Sequence, residues 1–317
     1  MSTGIHLPVL LEQTIELIKP APGSVFLDAT VGAGGHSEAM LRGSAPDGRL
    51  VACDADPEAL ARAGRRLEPF GSRVELVHCR LDELSRISCN RSWPRFVGIL
   101  ADLGLSSIQL DDPERGFSFS HDGPLDMRLC TGSGRSAADL VNQEPYDQLR
   151  RIIAEYGEER YASRVARAIV RERDAAPIRS TGRLAQIVRS AIPGKRGPQR
   201  IDPATRTFQG LRIAVNDELG SLRSFLADAP ELLAPGGVLA VISFHSLEDR
   251  LVKQALRRHS SGCLCPPAQP VCTCGHLPSM ELITRRPIRP DQSEIERNPR
   301  SRSARLRAAR RLEDQAA

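Results

Sequence analysis

The sequence predicts an α/β protein whose mostly parallel sheet is interrupted by a helical insertion. In the first third of the chain, short apolar runs alternate with helical patterns, which is typical of βαβ units. A glycine-rich turn follows the first run, and after about residue 107 helical periodicity replaces the alternation until a further apolar run at 238–244. The 317 residues, 40% hydrophobic and 26% charged, suit one large globular domain or two ordinary ones.

The first third contains most of the predicted sheet. Residues 10–18 have apolar positions at helical spacing, and a short helix is expected from about Ser37. Pro57 begins another helix that reaches about Leu67, with Asp56 as its N-cap. Three of the predicted strands end at an aspartate, and parallel sheets bind ligands outside the carboxyl ends of their strands. The predicted strands are 25–28, 50–54, 74–77 and 97–102.

The middle of the chain is predicted to be a helical insertion. It begins with a polar loop up to about residue 136 and continues with amphipathic helices. Its last helix is expected to be long, from Pro203 to Leu226, with Asp202 as N-cap. The sheet then resumes, and the tail at 304–312 is compatible with an edge or antiparallel strand or with a helix. The predicted domain boundaries are 1–107, 108–212 and 213–317.

Basic residues are concentrated in two blocks. Residues 160–212 hold thirteen Arg or Lys against three carboxylates, and residues 285–311 hold ten Arg against three carboxylates. In a chain with a net charge of only +5, such blocks predict a polyanionic partner, with solvated arginine-rich helices as the alternative. In the first block, four arginines at helical spacing form one stripe. These are Arg160, Arg164, Arg167 and Arg171.

The eight cysteines fall into two groups. Cys53 and Cys79 lie in apolar runs and are expected to be small buried hydrophobic residues. Four others follow a CxC-x6-CxC pattern between residues 263 and 274. No secretory signal is recognised, so disulfides are not expected, and four thiols this close could bind zinc. Zinc sites usually have CxxC spacing, so reduced thiols in a proline-rich loop are an open alternative, and no metal site is assigned.

The glycine-rich turn lies between the first strand and its helix, from Asp28 to His36. Glycines let a ligand approach the backbone and tolerate positive φ. Asp54 ends the next strand, where a carboxylate can accept hydrogen bonds from ribose hydroxyls. Together these features indicate a nucleotide-type cofactor, with a tight structural turn as the alternative. The dinucleotide motif fails because Ser37 stands in place of its third glycine, whereas an S-adenosylmethionine site tolerates such a loop.

Two polar residues that follow predicted strands are candidate catalytic residues. Asp102 ends the fourth strand and can face cofactor or substrate, and a carboxylate that caps the next turn is the alternative. His245 follows the strand at 238–244 and could act as a base, although a structural histidine fits the sequence equally well.

Many long blocks of the chain resemble the RsmH/MraW family, over about residues 7–312. These include Asp102-Leu103-Gly104, DDPERGFSF, DGPLDMR, PATRTFQ, ISFHSLEDR and NPRSRSARLR. The family consists of bacterial methyltransferases that modify the N4 amino group of a cytosine in 16S ribosomal RNA near the decoding centre. The resemblance implies a class I (Rossmann-like) methyltransferase fold with a helical insertion, and S-adenosylmethionine as the methyl donor.

The resemblance also implies cofactor contacts at particular positions. Leu81 replaces a phenylalanine that is usual in the family, which removes ring stacking but leaves an apolar contact with adenine possible. Ala33 replaces a usual glycine, and Ile108 replaces a usual proline. The implied cofactor-binding residues are Gly34, Gly35, His36, Asp54, Leu81, Asp102 and Gln109.

The implied partner is 16S ribosomal RNA in the small ribosomal subunit, with no DNA and no membrane. The N-terminus lacks a signal-peptide pattern, and no apolar run is long enough to cross a membrane, so a cytoplasmic location is expected. Two alternatives to the implied activity are a ribosome-assembly factor without catalysis and a methyltransferase that acts on a non-RNA substrate.

Overall fold

The computed structural model describes residues 8–193, 202–266, 269 and 271–313. The chain divides into two compact units. The first comprises the residues up to Gly104 and those from Leu219 onward, and the second is Leu105–Glu218. The sequence places the helical insertion at 108–212, and residues 194–201 of that range lie outside the described residues.

The first unit is built on one sheet. Its strands are β1 Val25–Asp28, β2 Arg49–Asp54, β3 Val74–His78, β4 Phe96–Asp102, β5 Leu233–Ser243, β6 Met280–Leu282 and β7 Arg305–Arg311. In the described residues the order is β3-β2-β1-β4-β5-β7-β6, and β7 is antiparallel to both of its neighbours. The predicted α/β fold with a mostly parallel sheet is therefore confirmed.

Helices cover both faces of this sheet and form the core of the second unit. In chain order they are α1 Leu11–Ile18, α2 Gly35–Gly43, α3 Pro57–Leu67, α4 Leu84–Arg91, α5 Ser107–Asp111, α6 Ala137–Gln143, α7 Tyr146–Arg151, α8 Ala162–Ala175, α9 Thr181–Ala191, α10 Ala204–Asn216, α11 Glu218–Leu232, α12 Ser246–His259 and α13 Gln292–Arg297. No helix in the described ranges is long and apolar enough to cross a membrane.

Successive strand residues enter different cores, because side chains alternate between the two faces of a sheet. Leu27 and Ile99 belong to a core that includes Leu222 and Phe225 of α11. Their neighbours along the strands, such as Phe26, belong to a second core that includes residues of α1 and α2. This double burial explains why the strands read as continuous apolar runs.

The sequence was right about the cap of α3 and the two buried thiols. The Asp56 carboxylate accepts a hydrogen bond from the Glu58 N–H at 2.9 Å, as an N-cap does. Cys53 and Cys79 are buried in the core of the first unit.

The long helix predicted from Pro203 to Leu226 is wrong, because the chain forms two helices, α10 and α11. Asp217 separates them with φ of 46°, a left-handed conformation that ends α10. Asn216 fixes this end, since its side-chain amide donates to the Met127 carbonyl at 2.8 Å and accepts from the Leu129 N–H at 2.8 Å. The apolar residues keep helical spacing across the break, and the break itself falls at polar residues. The periodicity therefore did not reveal it.

The tail forms strand β7, which resolves the choice between strand and helix. It lies between β5 and β6, so it is an interior strand and not an edge strand. Two of its arginines bind the Asp249 carboxylate of α12, Arg307 at 2.7 Å and Arg305 at 2.8 Å. Part of the second basic block therefore serves the fold of the first unit.

Candidate cofactor-binding edge and arginine groove

Three adjacent parallel strands end in a carboxylate. Strand β1 lies between β2 and β4, and the three end at Asp28, Asp54 and Asp102. The strand order reverses at β1, since β2 follows on one side and β4 on the other. Open parallel sheets bind ligands outside the carboxyl ends of their strands at this switch point. We call this set of strand ends the carboxylate edge.

The glycine turn leads from β1 into α2. Gly34 has φ of 79°, which L-residues with a side chain rarely adopt, and its N–H bonds to the Val31 carbonyl at 2.8 Å. A Cβ atom on Gly35 would lie 2.7 Å from Cγ of Pro8, so the close approach there also requires glycine. Both predicted cofactor-binding glycines therefore shape the turn itself.

Asp54 holds this turn as well as facing the ligand edge. One carboxylate oxygen accepts the Gly32 N–H and the other accepts the Asp56 N–H, both at 2.9 Å. Burial raises the pKa of Asp54 to about 6, against the lowering effect of these N–H donors. Each carboxylate oxygen can accept a second hydrogen bond, so the predicted ribose contact is compatible with the turn-holding role.

Asp28 holds the glycine turn and was not selected as a site residue from the sequence. Its carboxylate accepts the Ser37 hydroxyl at 2.6 Å and the Thr30 N–H at 3.2 Å, and the side chain is buried. Burial raises its pKa to about 6. It stabilises both ends of the glycine turn from beneath, and its signal in the sequence was the same strand-terminal position that drew attention to Asp54 and Asp102.

Asp102 carries a buried carboxylate oxygen without a hydrogen-bond partner among the described residues. This is Oδ1, whereas Oδ2 lies 3.7 Å from Nδ1 of His36. Burial raises the pKa of Asp102 well above its usual range, and the nearby carboxylates of Asp28 and Glu248 raise it further. An unsatisfied buried acceptor is costly, so the side chain suits a cationic or hydrogen-bond-donating ligand.

His36 is buried and tied to the N-terminal segment of the unit. Its Nε2 atom donates to the Val9 carbonyl at 2.9 Å, which leaves Nδ1 facing Asp102. The separation of 3.7 Å from Oδ2 is too long for a direct hydrogen bond. The histidine therefore orders the start of α2 beside Asp102, and its cofactor contact stays a prediction.

His245 is the N-cap residue of α12. Its Nδ1 atom accepts the Glu248 N–H at 3.4 Å, and Nε2 lies 3.1 Å from Oε1 of Glu248. The same glutamate accepts the Phe244 N–H at 2.8 Å. Nδ1 thus caps α12, whereas Nε2 is buried and lies close to Glu248 but makes no hydrogen bond within the described residues. The use of His245 as a base stays a hypothesis.

The two other predicted cofactor-binding residues lie in different units. Leu81 follows β3 in the first unit and packs partly buried against its core, where an apolar contact is possible. Gln109 belongs to the second unit, where its side chain accepts the Ser106 N–H at 2.8 Å in the capping box of α5. The cofactor contacts proposed for them stay predictions.

The carboxylate edge fits a cofactor that carries a ribose and positive charge. The turn lies beside Asp54, which accepts the Gly32 N–H, and Asp102 offers a buried acceptor that has no hydrogen-bond partner in the part of the chain that the structure describes. A buried carboxylate of raised pKa is ionised most readily when a cation lies next to it. The glycine turn lacks the motif that binds a pyrophosphate, which agrees with a nucleoside-type cofactor rather than a dinucleotide.

The arginine stripe of α8 borders a groove against α9. The groove has a volume of about 330 Å³ and presents four guanidinium groups against the single carboxylate of Glu172. Its floor is apolar, with Ala168 and Ile187. We call it the arginine groove, and its arginines are Arg164, Arg167, Arg171 and Arg183.

The arginines that line the groove differ from those of the predicted stripe in two ways. Arg183 of α9 joins it, although sequence periodicity on one helix could not pair it with α8. Arg160 is not among the lining residues, and its guanidinium lies over the Tyr161 ring at 4.4 Å. Glu172 of α8 binds Arg171 at 3.0 Å and Arg183 at 2.7 Å, so one carboxylate links the stripe to the arginine of α9.

Comparison with known proteins places nearly the whole chain in one family. The model of the MraW methylase family matches residues 3–312. The chain is 52% identical over 307 residues to the ribosomal RNA small subunit methyltransferase H of Syntrophotalea carbinolica, covering 97% of this chain and 98% of the relative. Its namesake in Solidesulfovibrio magneticus is 51% identical over 312 residues, covering 98% and 96%.

Among solved structures, TrmN from Thermus thermophilus overlaps 96% of this chain and 48% of its own at a TM-score of 0.43 and 14% identity, too weak a similarity to bear on activity. The full-length match to the family model and the curated relatives decides the assignment. The chain belongs to the MraW methylase family and is an S-adenosylmethionine-dependent methyltransferase.

Proposed function

We propose that this protein methylates the N4 amino group of a cytosine in the 16S ribosomal RNA of the small ribosomal subunit, in the cytoplasm. Curated relatives of about half-identical sequence are named ribosomal RNA small subunit methyltransferase H. The observation that carries the chemistry is the buried oxygen of Asp102 at the switch point of the sheet, which finds no hydrogen-bond partner among the residues that the structure describes. The arginine groove supports a polyanionic substrate.

The carboxylate edge is the proposed cofactor site. Bound S-adenosylmethionine supplies an electrophilic methyl group on a sulfonium sulfur. Asp54 accepts the ribose hydroxyls while it braces the turn, and the apolar side chain of Leu81 contacts the adenine. The Gly34-Gly35 backbone and His36 border the cofactor, and Gln109 completes the proposed set.

Asp102 is the proposed acceptor for a hydrogen of the cytosine N4 amino group. The N4 lone pair is delocalised into the ring, so a hydrogen bond that favours a pyramidal nitrogen makes the lone pair available. Near-attack geometry requires the nitrogen and the methyl carbon about 3–3.5 Å apart. Bound S-adenosylmethionine would supply the methyl group, so that an N4–methyl bond would form as the methyl–sulfur bond breaks, and the surplus N4 proton would pass to Asp102 or to water. Rival acceptors are His245 and the carbonyls of Leu103 and Gly104.

The arginine groove is the proposed contact with the RNA backbone. Exposed guanidinium groups bind phosphates in a sequence-independent way and release counterions. The target cytosine must itself be unpaired or swung out, since its amino group cannot be reached within a helix. The groove therefore contributes affinity, and the carboxylate edge contributes chemistry.

The proposal is tested by nucleoside mass spectrometry of 16S ribosomal RNA from cells with and without the gene. We expect N4-methylcytidine to disappear without the gene and to return with the wild-type copy but not with Asp102→Asn. Transfer of tritiated methyl groups to purified small subunits and to free 16S ribosomal RNA provides a second readout. Unchanged N4-methylcytidine in the deletion strain would contradict the proposed substrate.

The two alternative functions give different results in the same experiments. An assembly factor without catalysis binds small subunits but transfers no methyl group to any acceptor. A methyltransferase with a non-RNA substrate leaves the RNA unlabelled and labels another fraction of the cell extract.

A further inference from the structure

Four cysteines converge in the segment between α12 and β6, outside the carboxylate edge and the arginine groove. They are Cys263, Cys265, Cys272 and Cys274, and all four Sγ atoms lie within 4.8 Å of one another. Among the described residues of this segment, the large apolar side chains face solvent, so hydrophobic packing does not hold them in place. Val271 is 69% exposed and Leu277 is 65% exposed.

The distances between the sulfur atoms match the edges of a tetrahedron around one metal ion. The Sγ of Cys272 lies 3.4 Å from that of Cys263, 3.6 Å from that of Cys274 and 4.0 Å from that of Cys265. Cys263 and Cys274 are 3.8 Å apart. Four sulfurs placed about 2.3 Å from a central zinc ion would be separated by about 3.8 Å.

The same distances argue against two other uses of the thiols. A disulfide requires sulfurs at about 2.05 Å, and each of the measured separations is far longer. Independent reduced thiols have no reason to converge in an exposed segment, where each could be hydrated separately. Convergence of four soft ligands is the arrangement that a thiophilic ion imposes.

Backbone N–H groups support the sulfurs as thiolate ligands. The Leu264 N–H donates to Sγ of Cys274 at 3.3 Å, and the Cys265 N–H donates to Sγ of Cys263 at 3.3 Å. Such donors offset the negative charge of metal-bound thiolates and orient the ligands. They also show how the short CxC spacing can work, because the residue between the two cysteines turns its N–H towards the opposite pair.

Two further contacts tie the cluster to the end of α12. The His276 ring bonds to the Arg258 carbonyl at 2.9 Å, and the Ser279 N–H donates to the His259 carbonyl at 2.9 Å. A crosslink at the cysteines would therefore fix the chain between α12 and β6, which a hydrophobic core does not do here.

We propose that Cys263, Cys265, Cys272 and Cys274 bind one zinc ion in a closed tetrahedral site. Four protein ligands leave no open coordination position, so the ion is structural and takes no part in methyl transfer. Its role is to order the segment that joins α12 to β6. The inference is independent of the proposed RNA substrate.

Metal analysis of the full-length protein tests this proposal. Protein purified without chelator or metal-affinity resin should contain about one zinc per chain, and X-ray absorption should show four sulfurs at about 2.3 Å. Cys265→Ser combined with Cys272→Ser should reduce zinc to background. The matched control is Cys89→Ser combined with Cys130→Ser, which removes two free thiols outside the cluster and should leave zinc unchanged.

A second measurement on the wild-type protein covers the case in which the double variant does not fold. Titration with a mercurial that blocks thiols should release zinc in proportion to the modified cysteines, while limited proteolysis becomes faster within 260–280. The absence of stoichiometric zinc, retention of zinc in the Cys265/Cys272 variant, iron in its place, or two disulfides in the native mass would each overturn the proposal.

Discussion

The carboxylate edge and the arginine groove both concentrate charge, but in opposite environments. At the edge, Asp28 and Asp102 lie beneath or beside the glycine turn, and burial raises the pKa of both. In the groove, the arginine side chains are exposed, and the carboxylate of Glu172 pairs with two of them. Buried charges interact strongly and depend on geometry, whereas exposed charges are screened and nearly additive.

This difference in burial indicates what each region can do. A fixed acceptor in a desolvated position can discriminate between a ground state and a transition state. A row of mobile guanidinium groups in water can hold any phosphate backbone without reading its sequence. We therefore expect single substitutions at the edge to slow methyl transfer or weaken cofactor binding strongly, and substitutions in the groove to change RNA affinity in graded, salt-dependent amounts.

The largest expected effect is that of Asp102→Asn on the rate of methyl transfer. The variant keeps the size of the side chain but replaces a charged acceptor with a neutral one. Loss of about 2–4 kcal/mol of transition-state stabilisation lowers the single-turnover rate by roughly 30- to 1000-fold. RNA affinity should be unchanged.

Single-turnover methylation across a titration of S-adenosylmethionine separates the two roles of Asp102. A defect that persists at saturating cofactor supports the acceptor role. Full rescue at saturation would show that Asp102 only contacts the cofactor. The acceptor of the N4 hydrogen would then be His245 or a backbone carbonyl of Leu103 or Gly104.

Asp54→Ala is expected to weaken cofactor binding by roughly 1–3 kcal/mol, because it removes charged hydrogen-bond acceptors for the ribose and for the Gly32 N–H. Calorimetric titration with S-adenosylmethionine measures the effect, and RNA affinity should hardly change. Glu58→Ala, an exposed carboxylate at the start of α3, is the matched control. Cofactor affinity equal to that of the wild type would remove Asp54 from the site.

Replacement of the four arginines of the predicted stripe with glutamine is expected to reduce RNA affinity about tenfold or more at moderate salt. It should also flatten the dependence of log K on log salt by about 0.7–0.9 per lost phosphate contact. The four are Arg160, Arg164, Arg167 and Arg171. Cofactor affinity should stay constant. The control replaces two exposed arginines of α4, Arg86 and Arg91. An unchanged salt slope would show that the stripe is merely solvated.

The smallest expected effect has the opposite sign. Glu172→Gln removes the carboxylate that pairs with Arg171 and Arg183, so RNA should bind about two- to fivefold more tightly at low salt. Glu155→Gln, which removes an exposed carboxylate paired with Arg151 on the same unit, serves as the control. Weaker or equal binding in a filter assay would contradict the assignment of the groove to RNA.

The alternation of apolar runs and helices was enough to predict the parallel sheet and its ligand edge. Strand burial on both faces gives continuous apolar segments, and a turn with positive φ needs glycine. Both the strands and the turn can therefore be recognised from short stretches of sequence. Asp54 and Asp102 could be selected because each ends such a run. Asp28 carries the same signal, but only its buried bonds to Ser37 and Thr30 reveal a role in holding the turn.

The sequence by itself determined the α/β fold, the position of the glycine turn and three of the four stripe arginines, since each depends on neighbours along the chain. The fourth, Arg160, precedes α8, which begins at Ala162. Tertiary structure alone decided the break at Asp217, the interior place of β7 and the joining of Arg183 to the stripe. The sequence grouped the four cysteines, and only the structure showed that their sulfurs converge. The physical reason is that these features depend on partners distant in sequence or on a turn that folds the chain back. Local spacing carries no information about which side chains meet after such a turn.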